Sequence, residues 1–492
     1  MSHPSTTARN RSGHTVGAAP TAMRRHEITL RTAAPEHPFT VALHAEVTGP
    51  DRTIRIPGFY DGDGMFRLRH LPLTPGTYSF RTVSDLADLH GQEGTFDVGP
   101  ARPNDHGPVR VAGFHLAHAD GAAHLPIGTT AYAWTHQPEH LQESTLASLR
   151  AAPFTKLRMC VFPKWYQFNH DEPERFPFEG DGDGGFAFDR FDVTFWQHLE
   201  ARIDDLADIG VQADLILFHP YDRWGFATMT SDQDDAYLRY AVARLAAFPN
   251  VWWSLANEYD LLKSKTPEDW ERFAAIIGEE DSVGHLLSVH NCWEVYDHSR
   301  PWVSHASMQR VDLYKTAEMV TDWRERWGKP VIVDECGYEG DIDQGWGNLT
   351  AEEMLRRTWE GAVRGGYVGH GETYLADDEV LWWSKGGTLK GQSPERIGFL
   401  RKLLEEAPGP VEPLPGDWDA PRAGVPDQHV LVYLGFNRPR FRTFRTDPGT
   451  SWHVDIIDTW GMTVQTLPTP QEGTFRVDLP ARPYMAIRLR AA

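Results

Sequence analysis

The segment VWWSLANEYD, residues 251–260, begins like a buried β-strand and ends in polar groups. Aromatic and β-branched residues, which favour strands, fill its first half. Its end carries the amide of Asn257 beside the carboxyl groups of Glu258 and Asp260. A strand that buries its body and presents polar side chains at its C-terminal end is typical of a parallel barrel, because the active site of such a barrel lies at those ends.

The sequence around this segment alternates short apolar runs with amphipathic helices from about residue 109 to residue 407. One such helix, 192–210, has its apolar residues on one face and ends at a glycine. Eight segments have strand character: 124–134, 156–163, 212–220, 251–260, 285–291, 302–309, 330–339 and 366–375. Because nearly all of these strands are followed by a helix, the pattern predicts an α/β protein with a (β/α)₈ TIM barrel over residues 109–407.

On both sides of the predicted barrel the apolar residues recur with period two. Short alternating runs separated by turns indicate an N-terminal antiparallel β-sandwich at residues 27–108 and a small C-terminal β domain at residues 408–492. Residues 1–26 are rich in Ser, Thr, Ala and His, and a disordered leader is expected there. The glycine- and aspartate-rich turns at 61–64 and 180–185 are interpreted as hairpin turns, because no series of calcium ligands follows them.

The composition excludes several kinds of partner. A net charge of −21 argues against nucleic acid and anionic membranes, which repel an acidic surface. No signal-peptide pattern and no run of about 18 apolar residues is found, so a cytoplasmic protein without a membrane partner is expected. The only cysteines, Cys160, Cys292 and Cys336, are widely separated and are expected to be free thiols.

Polar and aromatic residues occupy the C-terminal ends of the eight predicted strands. One His or Glu at a strand end is more often structural or solvated, but eight strands that all end in hydrogen-bonding groups indicate a functional face. The set consists of Trp134, His136, Arg158, His219, Asn257, Glu258, His290, Asn291, His305, Gln309, Glu335, His370 and Glu372.

Two carboxylates stand out in this set, Glu258 at the end of the fourth strand and Glu335 at the end of the seventh. Glycoside hydrolysis with retention needs two carboxyl groups roughly 5–5.5 Å apart, one to protonate the leaving oxygen and one to attack the anomeric carbon. Either glutamate alone would be interpreted as salt-bridged or solvated. Their joint placement across a barrel mouth predicts a glycosidase.

The motifs SLANEYD (254–260) and VIVDECGY (331–338), in this order, resemble the fourth and seventh strands of clan-A glycoside hydrolases with a family-5-like barrel. The resemblance implies that Glu258 is the acid/base, that Asn257 holds the 2-hydroxyl of the sugar and that Glu335 is the nucleophile. Arg158 matches the arginine that these enzymes often place beside the nucleophile, where its charge would keep Glu335 ionised.

Further motifs resemble those of bacterial glycosidases that carry a small sandwich before the barrel and a β domain after it. These motifs lie at 57–72, 288–309, 370–374 and 393–406. One feature departs from the clan pattern. Many members carry a tyrosine on the sixth strand that contacts the nucleophile, whereas this strand ends in SHASMQ (304–309). Whether His305, Gln309 or a tyrosine from elsewhere replaces it stays open.

The roles of the remaining candidates are less specific. A zinc ion bound by His219, His290, His305 and His370 is disfavoured, since the spacing of these histidines matches no metal motif. Neutral imidazoles that bind sugar hydroxyls are expected instead. Glu372 either binds substrate or pairs with a histidine. The tandem Trp382 and Trp383 either stack on the sugar or pack under a loop.

Together these features predict a retaining glycosidase without metal or organic cofactor, acting in an exo fashion on small glycosides or oligosaccharides through a glycosyl-enzyme. A transglycosylase with the same residues is an alternative. So is a non-catalytic carbohydrate-binding protein, although a lost enzyme usually loses one of its two glutamates. The identity of the sugar, its ring size, its anomeric configuration and the formation of a homo-oligomer stay open.

Overall fold

The computed structural model describes residues 20–310, 312, 314–417 and 419–492. Most of the predicted leader, residues 1–19, lies outside this range. The rest of the leader is packed, since Ala22 is buried in the core of the first sheet and its N–H donates to the carbonyl of Gly99 over 2.9 Å. The prediction of a disordered leader is therefore wrong for residues 20–26.

Six antiparallel strands form the first sheet, in the spatial order β1-β4-β3-β2-β5-β6. Strand β3 pairs with β2 through residues 53–57 and with β4 through residues 58–60, so it joins the two halves of the sheet around one apolar core. The strands are β1 (His26–Arg31), β2 (Leu43–Thr48), β3 (Thr53–Tyr60), β4 (Met65–His70), β5 (Gly76–Ser84) and β6 (Glu93–Val98).

Buried ion pairs attach this sheet to the helices of the barrel. Arg69 pairs with Glu200 at 2.7 Å, and Arg244 pairs with Asp61 at 2.8 Å. A small antiparallel sheet then leads into the barrel and consists of β7 (Val109–Ala112), β8 (His115–His118) and β9 (Ala123–His124).

Eight parallel strands close the predicted barrel, which is thereby confirmed. Strands β10, β11, β14, β15 and β16 form one parallel sheet, and β17, β18 and β20 form another. Parallel bridges from His290 to Ser307 and from Thr129 to His370 join the two sheets at both edges. In chain order the strands of this region are β10 (Gly128–Thr130), β11 (Lys156–Cys160), β12 (Phe178–Gly180), β13 (Phe186–Phe191), β14 (Gln212–Phe218), β15 (Val251–Ala256), β16 (Leu287–Ser288), β17 (Ala306–Gln309), β18 (Val331–Glu335), β19 (Glu339–Gly340), β20 (Tyr367–Val368) and β21 (Glu372–Thr373).

Helices cover the outside of the barrel, and side-chain caps fix where several of them begin. Asp192 caps α2, and Thr230 and Thr266 form capping boxes at α3 and α4. The helices are α1 (Glu139–Ala151), α2 (Val193–Asp208), α3 (Ser231–Leu245), α4 (Pro267–Glu280), α5 (Val320–Trp327), α6 (Ala351–Ala362), α7 (Trp382–Lys385) and α8 (Ser393–Glu405). No helix among the described residues is long and apolar enough to cross a membrane.

The chain ends in a mainly antiparallel β domain that packs on α6 and α8. Trp359 of α6 stacks on Tyr433 with ring centroids 5.2 Å apart, and Arg488 forms an ion pair with Glu406 at the end of α8. Its strands are β22 (Glu412–Asp417), β23 (Ala420–Val425), β24 (His429–Tyr433), β25 (Phe441–Arg445), β26 (Ser451–Asp458), β27 (Thr463–Thr466), β28 (Gln471–Glu472), β29 (Thr474–Asp478) and β30 (Met485–Ala491).

Candidate active site

The C-terminal ends of the barrel strands surround a cavity of about 270 Å³ that contains both predicted catalytic carboxyl groups. Five of the residues that line it were singled out in the sequence: Asn257, Glu258, Gln309, Glu335 and Trp383. A larger cavity of about 440 Å³ lies at the opposite end of the strands, but it is lined mainly by apolar residues and its only carboxyl group is that of Glu405. The chemistry is therefore concentrated in the smaller cavity.

Glu335, the last residue of β18, is held by donors from two other strand ends. The hydroxyl of Tyr132, just beyond β10, donates to its Oε1. Nη1 of Arg158 on β11 donates to the same oxygen over 3.3 Å. Nη2 of Arg158 also donates to Oδ1 of Asn257 over 3.2 Å, so the arginine connects the nucleophile candidate with the amide of the fourth strand.

Glu258 follows β15 in a left-handed backbone conformation, with φ of +53°. Such a conformation is uncommon for a residue other than glycine and often marks a functional site. Three donors hold the carboxyl group. Tyr221 and Nδ2 of Asn257, the latter at 3.3 Å, donate to Oε2, and Nε2 of Gln309 donates to Oε1 over 3.2 Å. Each candidate catalytic glutamate therefore has a tyrosine of its own.

The tyrosine beside the candidate nucleophile comes from the first strand rather than the sixth. The oxygen of Tyr132 lies 3.1 Å from Oδ1 of Asn257, in addition to its bond to Glu335. At the end of the sixth strand, Gln309 contacts Glu258, whereas His305 is buried with its Nδ1 2.9 Å from the hydroxyl of Ser304. The replacement that the sequence left open is thus Tyr132.

Burial raises the pKa of Glu335 above its ordinary value, and the negative charge of Glu258 raises it further. The charge of Arg158 and the hydrogen bond from Tyr132 act in the opposite direction without reversing the shift. The prediction that Arg158 would keep the pKa of Glu335 low is therefore corrected, because burial outweighs the arginine. Burial also raises the pKa of Tyr132 and of Tyr221, so both hydroxyl groups are protonated donors at neutral pH.

A network of buried charges inside the barrel supports Arg158 from below. Nζ of Lys156 lies 2.7 Å from Asp214 and 2.6 Å from Asp334, the residue that precedes Glu335. Asp214 in turn lies 3.7 Å from Nε of Arg158. Buried charges are tolerated when they are paired, and this pairing holds the guanidinium under the cavity.

Aromatic side chains form the wall and the rim of the cavity. The rings of Trp346 and Trp383 lie 4.9 Å apart in the wall, which provides an apolar surface of the kind that stacks on a sugar. Trp293 stands at the rim and is 75% exposed. The carboxylate of Asp260 accepts the N–H groups of three successive residues there, those of Cys292, Trp293 and Glu294, at 2.6, 2.8 and 2.9 Å.

Nine predicted substrate-contact residues do not line the cavity, and Arg158 acts from beneath it through Glu335. Most of the nine lie at strand ends, where alternate side chains point away from the mouth, into the core or toward the helices, and for Glu372 and Trp382 the sequence had left a role outside the sugar site open as well. Trp134, for example, donates from Nε1 to the sulfur of Met159, and Trp382 donates to Thr129. The nine are Trp134, His136, His219, His290, Asn291, His305, His370, Glu372 and Trp382.

Glu372, His370 and Glu339 form a separate buried group whose ligand atoms lie within 4.8 Å of one another. The carboxylate of Glu372 accepts the backbone N–H groups of residues 390 and 391, and that of Glu339 accepts those of residues 392 and 393. Burial raises the pKa of Glu372 to about 7. The two carboxylates therefore order the chain that leads into α8, which gives Glu372 a structural role.

Several residues that line the cavity were not identified as site residues from the sequence: Tyr132, Lys164, Tyr166, Tyr221, Trp293, Tyr338 and Trp346. Four of them, Tyr132, Lys164, Tyr221 and Tyr338, follow a barrel strand within four residues. A reading that stops at the strand end misses them, because the chain turns over the barrel mouth just beyond it. Tyr132 and Tyr338 lie inside the segments predicted as strands, and Lys164 and Tyr221 come directly after such segments, so aromatic and charged residues at and just past the predicted strand ends were the available signal.

Comparison with known proteins places the barrel in a recognised family. Residues 112–409 match the apiosidase-like catalytic domain, and residues 21–85 and 418–490 match two domains of unknown function (DUF5060 and DUF5605). No curated protein shows significant similarity to this chain.

Solved structures agree with this assignment. A "putative glycoside hydrolase" from Bacteroides vulgatus ATCC 8482 is 38% identical with a TM-score of 0.92, and the alignment covers 96% of this chain and 100% of that one. A family 5 glycoside hydrolase from the same organism is 16% identical with a TM-score of 0.62, over 79% of this chain and 95% of that one, and shares the fold. The predicted resemblance to glycoside hydrolases is confirmed.

Proposed function

The chain belongs to the family of apiosidase-like catalytic domains and is a glycosidase, and we propose that it cleaves its substrate with retention of anomeric configuration. One observation carries the proposal. Glu258 and Glu335 share a single small cavity, and each carboxyl group is oriented by its own tyrosine and by at least one further side chain. Double displacement needs at least two oriented carboxyl groups.

In the first step Oε of Glu335 attacks the anomeric carbon while Glu258 gives its proton to the leaving oxygen. A bond between the sugar and Glu335 forms as the glycosidic C–O bond breaks, and the aglycone leaves as an alcohol. In the second step Glu258 removes a proton from water, the water oxygen attacks the same carbon, and Glu335 is released as a carboxylate. Asn257, whose amide donates to Glu258, would hold the 2-hydroxyl of the sugar.

The dimensions of the cavity favour an exo-acting enzyme on a small sugar. Its volume of about 270 Å³ lies just under the roughly 300–1,000 Å³ of sites for drug-sized ligands, so it suits a single terminal residue. The family description makes a terminal apiose the first glycone to test. The wall formed by Trp346 and Trp383 would pack on the apolar face of that sugar, and the aglycone would leave past Trp293.

The test is a panel of 4-nitrophenyl glycosides that includes pentofuranosides, pyranosides and an apioside, followed by NMR of the first sugar formed. We expect hydrolysis of at least one terminal glycoside, with the anomeric configuration of the substrate in the initial product. Inversion in the first product would exclude the glycosyl-enzyme. A parallel assay of Glu335→Gln, purified in the same way, excludes a contaminating glycosidase.

A further inference from the structure

One buried lysine at the cavity lacks the partner that the other buried lysines have. Lys156 pairs with Asp214 and Asp334, and Lys385 lies 3.0 Å from Asp171. Lys164 is only 3% exposed, yet no carboxylate or other acceptor among the described residues lies within hydrogen-bond reach of its ammonium group. An ammonium group carries three N–H donors, and because Lys164 lines the cavity these donors are available to a ligand there.

Aromatic rings surround this ammonium group. Nζ lies 3.8 Å from the ring centre of Tyr132, 4.4 Å from that of Tyr221 and 4.7 Å from that of Trp383. Ring faces attract a cation, which accounts for its location, but they leave its N–H groups without oxygen acceptors. Because Tyr132 bonds Glu335 and Tyr221 bonds Glu258, the ammonium group lies next to both catalytic carboxyl groups.

Burial lowers the pKa of Lys164, and the negative charges of Glu258 and Glu335 oppose that shift. The backbone around Lys164 is also fixed. The side chain of Asn169 donates to the carbonyl of Lys164, and the N–H of Trp165 donates to the carbonyl of Tyr221 over 2.8 Å. The donor is therefore held in place before any substrate arrives, as a binding group should be.

We propose that Lys164 is a substrate-binding residue whose ammonium group donates hydrogen bonds to oxygens of the glycone held between Glu258 and Glu335. The inference rests on the proposed function, since it places a sugar in this cavity. The unsatisfied N–H donors of Lys164 would bind the sugar. The positive charge of Lys164 would also make the cavity selective for neutral glycones over cationic ones, because it repels a second positive charge.

The experiment compares Lys164→Met with the wild-type protein and with Lys265→Met, in which a lysine paired with Asp234 outside the cavity is changed. Isothermal titration gives the Kd of the monosaccharide released from the hydrolysed glycoside and the Kd of a protonated iminosugar of the same configuration. We expect Lys164→Met to bind the neutral sugar about 10- to 100-fold more weakly, which is the effect of losing a hydrogen bond to a charged group. The iminosugar should bind equally well or more tightly. Lys265→Met should change neither Kd.

Opposite changes in the two Kd values distinguish a loss of sugar recognition from a distorted cavity, since a distorted cavity would weaken the binding of both ligands. Equal losses for both ligands, or unchanged affinity for the neutral sugar, would overturn the assignment of Lys164. If Lys164→Met does not fold, Lys164→Gln decides, because its uncharged amide should bind the iminosugar at least as tightly as the wild type does while it binds the neutral sugar more weakly. A wild-type protein that neither binds nor hydrolyses any sugar would overturn the proposed function as well.

Discussion

The hydroxyl of Tyr132, at the end of the first barrel strand, donates to Oε1 of Glu335 at the end of the seventh. This bond stabilises the ionised carboxylate, which is the form that would attack the anomeric carbon in the proposed mechanism. It must weaken as the ester to the sugar forms, so Tyr132 is expected to be mobile along the reaction and to assist the return of the carboxylate.

Tyr132→Phe removes only this hydroxyl. We expect kcat/KM at neutral pH to fall about 10- to 100-fold, the effect of a lost hydrogen bond to a charged group. The acidic limb of the pH profile should move to higher pH, because the bond from Tyr132 lowers the pKa of Glu335. Tyr237→Phe is the control, since that hydroxyl is equally buried but donates to the carbonyl of Leu217. An acidic limb that stays in place would contradict the role of Tyr132.

The two glutamates should differ in their response to the leaving group. Glu335→Gln should lose turnover of every substrate, because an amide cannot form the glycosyl-enzyme. Glu258→Ala should retain much of its activity on 4-nitrophenyl glycosides and lose about 10²- to 10⁴-fold on alkyl glycosides, whose poor leaving groups need a proton. Added azide should restore the turnover of Glu258→Ala and yield a glycosyl azide. Equal losses on both classes of substrate would assign the proton donor elsewhere.

The barrel could be predicted because its signal is local. Buried parallel strands are largely apolar, as in β15, where all six residues are buried and five are apolar, and nearly all of these strands are followed by a helix. Glu258 and Glu335 could be predicted for the same reason, since each lies at or just beyond the end of such a strand. Their catalytic roles rest on the resemblance to glycoside hydrolases and stay a prediction.

The partners of these glutamates could not be predicted in the same way. Tyr132 and Tyr221 reach the carboxyl groups only because the chain beyond a strand folds back over the mouth, and that path depends on tertiary packing. The positions of the strand-end histidine side chains could not be predicted from the sequence for a related reason. His290, for instance, is fully buried within the barrel, since the direction of a side chain at a strand end depends on register rather than on residue type.

Trp293 provides a test of where the aglycone lies. Its ring is 75% exposed at the rim of the cavity, and Asp260 fixes the backbone that carries it. We expect Trp293→Ala to raise KM about 3- to 10-fold for 4-nitrophenyl glycosides, whose ring can stack on the indole, and to leave glycosyl fluorides unaffected. Phe436→Ala, at an exposed ring of the C-terminal domain, is the control. A change in KM that is the same for both leaving groups would argue against an aglycone platform.

The raised pKa of Glu335 also has a consequence for stability. A carboxyl group whose pKa is higher in the folded protein binds its proton more tightly there, so the folded state loses stability as the pH rises from about 4.5 through the folded pKa. Above the folded pKa of Glu335 the full penalty of a buried carboxylate beside Glu258 is present. Glu335→Gln removes that penalty, and we expect it to raise the Tm of the barrel at pH 7 by about 1–3 °C while it abolishes turnover. The gain should shrink in calorimetric scans at lower pH and vanish below pH 4.5, where the wild-type carboxyl group is protonated as well. A gain that is independent of pH would mean that the amide stabilises the barrel by packing, and a loss of Tm at pH 7 would show that the ion pair with Arg158 outweighs the cost of burial.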